Sequence, residues 1–92
     1  MIKGFADKDT AALWRGESPR RLAAIAQAAL RKLDMLDAAA ALVDLRNPPG
    51  NRLETLGGNR AGQHSIRING QWRLCFVWDG DGATRVEIVD YH

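Results

Sequence analysis

The feature that most constrains this chain is a change of hydrophobic period across a loop rich in glycine and proline. Before the loop, Leu22, Ile25, Ala26, Ala29, Leu30 and Leu33 recur at the spacing of one helix face, and Arg20, Arg21, Gln27, Arg31 and Lys32 stay off most of that stripe. After it, Ile66 and Ile68 alternate with Ser65 and Arg67, and Trp72, Leu74, Phe76 and Trp78 alternate with Arg73, Cys75 and Val77. That period of two is a strand's. Helices from the first half must therefore cover one face of a sheet built by the second half. The expected fold is α+β, order β-α-α-β-β-β, with a small, mostly antiparallel, twisted sheet.

Local signals set the boundaries. Ile2 and Phe5 suit a short first strand, and Asp7 to Trp14 a helical turn with Leu13 and Trp14 inward. Ser18-Pro19 reads as an N-cap followed by proline at the first helical position. A second helix is expected over Leu36 to Leu45, ending at Asn47-Pro48-Pro49-Gly50, which cannot continue a helix. Asn47 to Gly62 reads as a long loop with Leu53 and Leu56 pinned to the core. Asn69-Gly70 marks a hairpin, for which an odd-length loop with Gly70 left-handed and Ile66 opposite Trp72 keeps the apolar face continuous. Asp79-Gly80-Asp81-Gly82 turns the chain into a last strand, Arg85 to Tyr91. Arg67 and Arg73 then point away from the helices, toward an open face.

With 92 residues, 46% of them apolar, the chain makes one domain, residues 1–92. No run approaches the roughly 20 apolar residues of a membrane span. Asp7 and Asp9 interrupt the N-terminal stretch before a secretory signal develops, so the cytoplasm is the expected compartment. Cys75 is alone, which excludes an intrachain disulfide, and with two histidines leaves too few ligands for zinc. Between residues 46 and 73, Arg46, Arg52, Arg60, Arg67 and Arg73 face a single acid, Glu54. Such a stretch is either a solvated face or an anion-binding surface.

The chain closes on Asp90, Tyr91 and His92. On an extended strand Asp90 and His92 share a face and Tyr91 takes the other. Neighbouring carboxylates favour the imidazolium of His92, which suits it to general acid or base work. Arg73 can grip phosphate oxygens with its planar fork, and Tyr91 offers a ring on which an unstacked base can lie. Cleavage of RNA by its own 2′-hydroxyl needs these roles and no metal or other cofactor. His64 reads more simply as a partly buried strand residue, and Trp14, Trp72 and Trp78 as core. No phosphate-binding glycine loop or Ser-His-Asp order stands out.

The opening MIKGFADKDT, the segments NPPGNRLE and GQHSIRINGQWRLCF, and the terminal DYH together resemble the HigB-type toxins of the RelE/ParE superfamily, from end to end. The resemblance implies the fold read above and an endoribonuclease that cuts messenger RNA in the ribosomal A site. It also implies a cognate antitoxin, usually a helix-turn-helix protein, through which the pair binds its own operator DNA. Arg73 then corresponds to the strand arginine facing the scissile phosphate, and Asp90, Tyr91 and His92 to the catalytic C-terminal cluster. Some ribosome-dependent members carry a histidine and a lysine where this chain has Glu54 and Gly57, a departure that costs about one or two orders of magnitude in cleavage unless compensated. Glu54 is a candidate base, and Arg60 and Arg67 are candidate substitute cations or RNA contacts. Lys8, Arg15, Arg20, Arg21 and Arg31 are candidate ribosomal RNA contacts. Rival readings are a ParE-like gyrase inhibitor of the same fold and a weak toxin kept as an antitoxin-binding regulator.

Overall fold

The computed structural model describes residues 1–91. Helix α1 spans Lys8–Trp14, and the Asp7 carboxylate caps it by accepting from the Thr10 N–H at 3.1 Å. A tight 3-10 run, Arg20–Ile25, leads into α2, Ala26–Ala38. The start signal at Ser18-Pro19 marks the right place, but Pro19 occupies the cap without a side-chain bond and the first turns wind more tightly than α. Side chains three apart eclipse on a 3-10 turn, which stacks Leu22 over Ile25 on the same buried stripe as Ala29, Leu33 and Leu36.

The second helix expected over Leu36 to Leu45 does not form. Helix α2 absorbs Leu36 to Ala38, Ala39 is extended, and Leu42–Arg46 is only a 3-10 turn. The Asp44 carboxylate accepts from the Ala40 and Ala41 N–H groups, both at 3.0 Å, and so satisfies donors that a continuing helix would have used.

The sheet of the described residues runs β1 (Glu54–Thr55), β2 (His64–Arg67), β3 (Trp72–Asp79) and β4 (Gly82–Asp90), each antiparallel to the next. Strand β1 lies inside the segment expected to be loop, of which Leu53 but not Leu56 joins the core. The N-terminal segment runs parallel beside β4 through bridges at Ile2–Ala83 and Phe5–Val86. A side chain at Gly82 would bring a Cβ within 2.5 Å of the Met1 carbonyl, so this close approach requires glycine.

The β2–β3 register differs from expectation. Ile66 faces Leu74 and Arg67 faces Arg73, leaving residues 68–71 to connect the strands, and Gly70 is not left-handed. The Asn69 side-chain oxygen accepts from the Gln71 and Trp72 N–H groups at 2.8 and 2.9 Å, closing the turn by itself. Strand β4 starts three residues earlier than expected and ends at Asp90. It bulges at Arg85 (φ 51°): Cys75 faces Glu87 while Val77 faces Thr84. The extra residue lets Ala83, Val86 and Ile88 all be buried with Leu74 and Phe76.

Thr10 joins the layers: its hydroxyl, fully buried, accepts from the Ile88 N–H at 3.0 Å. Thr10→Val keeps the shape and orphans that N–H, so thermal unfolding should show a loss of about 1–3 kcal/mol. No helix of the described residues is long and apolar enough to cross a membrane.

Candidate functional site

Strand alternation puts Ser65, Arg67, Arg73, Cys75 and Glu87 on the sheet face away from the helices. The segment from Asn47 to Gly62 folds back over this face, and Asn51 holds it there. Fully buried, Asn51 donates through Nδ2 to the Leu45 and Asn47 carbonyls at 3.2 and 3.3 Å and accepts from Lys32 Nζ at 2.6 Å. Burial, and then the nearby Arg31 charge, hold the Lys32 ammonium below its usual pKa. Asn51→Ala strips these bonds and should cost about 2 kcal/mol in urea unfolding, with faster amide exchange across residues 47 to 62.

Past the turn Pro49–Asn51, Arg52 takes a left-handed conformation (φ 46°, ψ 57°), and its carbonyl accepts from Arg73 Nη2 at 2.6 Å. Arg73 does face away from the helices, but not onto an open face: it is 8% exposed. Its Nε donates to Ser65 Oγ at 2.8 Å, and Nη2 lies 3.3 Å from the Ser65 carbonyl. Those acceptors are neutral. The charge is met by Glu54, whose Oε1 lies 3.1 Å from Nη2 and whose side chain is 55% exposed. The Tyr91 ring, 43% exposed, stands with its centroid 5.7 Å from the guanidinium carbon. Its backbone N–H donates to the Gln71 carbonyl at 2.6 Å, tying the end of β4 to the hairpin.

Arg73, Glu54 and Tyr91 are thus brought together. Asp90 is not among them: it pairs with Trp72 across the strands, on the other face, and accepts from the Gln71 side-chain amide at 3.1 Å. His92, expected beside it, lies outside the described residues. Arg67 sits half-buried directly across from Arg73. Arg60 is already paired, its Nη1 donating to Glu87 at 2.7 Å and to Gln63 at 3.0 Å, and the Glu87 bond raises its pKa. Cys75 is fully buried, which pushes its thiol pKa up and keeps it neutral and unreactive. His64 is half-buried at the start of β2, with Nδ1 3.3 Å from Thr55 Oγ1.

Sequence reasoning missed Ser65 and the Arg52 carbonyl, the two groups that hold Arg73. A serine alternating with isoleucines carries no signal of its own, and only the turn residues Pro48-Pro49-Gly50 hint that the next carbonyl is aimed. Chemically, a buried guanidinium with an exposed, displaceable carboxylate and a neighbouring ring is suited to an oxyanion attached to a flat group.

The family model described as the RelE-like toxin of type II toxin-antitoxin system HigB matches residues 3–92. Toxin HigB-1 of Vibrio cholerae serotype O1 is 46% identical over 94 aligned residues, covering 100% of this chain and 98% of that one. An uncharacterized protein of Haemophilus influenzae is 43% identical over 51 residues, 55% of this chain and 50% of that protein. Among solved structures, the YoeB-YefM complex from Staphylococcus aureus superposes with a TM-score of 0.62 at 19% identity, over 100% of this chain and 95% of that chain, a likeness of fold. A match this complete, on a RelE-like α+β scaffold, means that the chain belongs to the HigB-like toxins of type II toxin-antitoxin systems.

Proposed function

We propose that this toxin is a metal-independent endoribonuclease that cuts messenger RNA in the ribosomal A site, in the cytoplasm, and so stops translation. The observation that carries the reading is the Arg73 guanidinium, buried and hydrogen-bonded, beside the exposed Tyr91 ring and paired with the Glu54 carboxylate 3.1 Å away. In the reaction the RNA 2′-hydroxyl attacks the adjacent phosphorus as the bond to the 5′ oxygen breaks. One proton leaves the 2′-hydroxyl and another reaches the departing 5′ oxygen, giving a 2′,3′-cyclic phosphate and a free 5′-hydroxyl. Arg73 stabilises the charge on the non-bridging oxygens, one of which replaces the Glu54 carboxylate as a partner of its guanidinium. Glu54, released from that ion pair, is placed to accept the 2′-hydroxyl proton, and Tyr91 stacks on the base.

Asp90 and His92 enter through the resemblance, with His92 in the acid-base role and Asp90 as a support on the far strand face. Arg67 and Arg60 add RNA backbone contacts. A domain this small leaves alignment of the RNA to the ribosome, which holds the in-line geometry that attack demands. The partner in the resting cell is a helix-turn-helix antitoxin, and operator DNA is reached only through it.

Primer extension on a defined message in a purified translation system, with and without ribosomes, tests the reading. Discrete cuts that require ribosomes support it. Intact message, together with blocked supercoiling by purified gyrase, would replace it with the ParE-like alternative.

A further inference from the structure

The contacts of Arg73 divide into fixed and removable ones. Ser65 is fully buried in the middle of the sheet, where β2 is flanked by β1 and β3, so its backbone is fixed by the ladder on both sides and its hydroxyl is enclosed. It takes the Nε proton at 2.8 Å, and the Arg52 carbonyl takes an Nη2 proton at 2.6 Å. Glu54, by contrast, lies on the two-residue edge strand and is more than half exposed. Among the described residues, Nη1 has no hydrogen-bond partner.

We infer that Ser65 is a positioning residue: its hydroxyl locks the Nε side of the Arg73 guanidinium so that Nη1 and the Glu54-facing Nη2 stay presented to an oxyanion of an RNA phosphodiester. The substrate class rests on the reading under Proposed function; the positioning itself rests on geometry. A guanidinium is planar, so fixing Nε and one Nη2 proton fixes the orientation of the whole fork. Neutral acceptors do this without cancelling the positive charge, which an anchoring carboxylate would do. The charge is left to Glu54, and an incoming phosphate oxygen can take over that carboxylate's contact. Without the Ser65 hydroxyl the fork turns about its own stem, and each binding event must first re-order it.

The test uses inorganic phosphate as the probe and the Arg73 Nε–H resonance of the ¹⁵N-labelled full chain as the reporter, so that no cleavage is needed. In the wild type this proton should exchange slowly with water and shift on phosphate addition. Ser65→Ala should weaken phosphate binding about tenfold, the scale of one hydrogen bond to a charged group, and Ser65→Thr, which restores a hydroxyl, should recover most of it. Phosphate affinities measured in the same way, with backbone resonances as reporter, complete a cycle with Arg73→Lys, a side chain that has no Nε–H. There Ser65→Ala should have no further effect, whereas a merely structural role would weaken both backgrounds equally.

Equal affinity of Ser65→Ala and wild type would overturn the inference, as would a fast-exchanging Nε–H in the wild type, a result that needs no variant to fold. In ribosomal cleavage Ser65→Ala should lose kcat with little change in KM, because the ribosome supplies most of the binding. A coupled Ser65–Arg73 pair in a protein that never cuts message would overturn the nuclease reading and leave the positioning role standing. Normal kcat in Ser65→Ala would do the reverse.

Discussion

Arg73→Ala should lower cleavage of ribosome-bound message by about two to three orders of magnitude, the usual cost of removing one preorganised electrostatic donor from a transition state. The expectation follows from burial. At 8% exposure, held by Ser65 and the Arg52 carbonyl, Arg73 has its orientation set before substrate arrives and requires no reorganisation during the reaction. Arg73→Lys should recover only a small part, because an ammonium on a flexible stem is a point charge that cannot match two oxygens of one phosphate. The truncation leaves polar acceptors at a site next to solvent-exposed Glu54, where water can replace the guanidinium, so the protein should keep its circular dichroism and its antitoxin binding. Single-turnover kinetics on ribosomes with saturating toxin measures the effect without confusion from product release.

The largest stability effect should come from Phe76→Ala, at about 3–5 kcal/mol. Phe76 is fully buried in β3 beneath α2, with Leu33, Leu74 and Val86 in the same core. Its neighbours are themselves fully buried, so little can move to fill the space the ring leaves. Domains of this size hold only about 0.05–0.15 kcal/mol per residue, so the loss consumes a large part of the total. Thermal unfolding should shift down by more than about 12 °C. Val43→Ala is the control: Val43 is 56% exposed, and its truncation should change stability by less than about 0.5 kcal/mol.

What the sequence made legible was what repeats. The stripe from Leu22 to Leu33 and the alternation from Trp72 to Trp78 report burial many times over; the strand appears where the pattern puts it, while the stripe is shared between the 3-10 run Arg20–Ile25 and helix α2 from Ala26. Departures occur where one side chain decides the backbone. Asp44 closes a 3-10 turn where Ala-rich composition suggested a helix, and Asn69 closes the β2–β3 hairpin where Asn-Gly suggested a left-handed glycine. The bulge at left-handed Arg85 has no sequence signature because the residue is not glycine, and β4 continues on both sides of it from Gly82 to Asp90.

The site shows the same division. Arg73 and Tyr91 could be picked as residue types, and their meeting follows from strand parity once the hairpin is known. That Glu54 reaches Arg73 depends on β1, a strand of two residues with no period to read. That Arg73 is buried depends on Asn51, a single side chain 22 positions away that ties down the covering segment.

The central claim, that the Arg73 face performs the cut, is tested most directly by the ends it leaves. A defined message on purified ribosomes is treated with wild type or Arg73→Ala under single-turnover conditions, and the 3′ ends of the upstream fragments are analysed. The account predicts 2′,3′-cyclic phosphate ends with the wild type, only when ribosomes are present, and almost none with the variant. Equal cleavage by the folded variant, or a message left intact by the wild type, would contradict it.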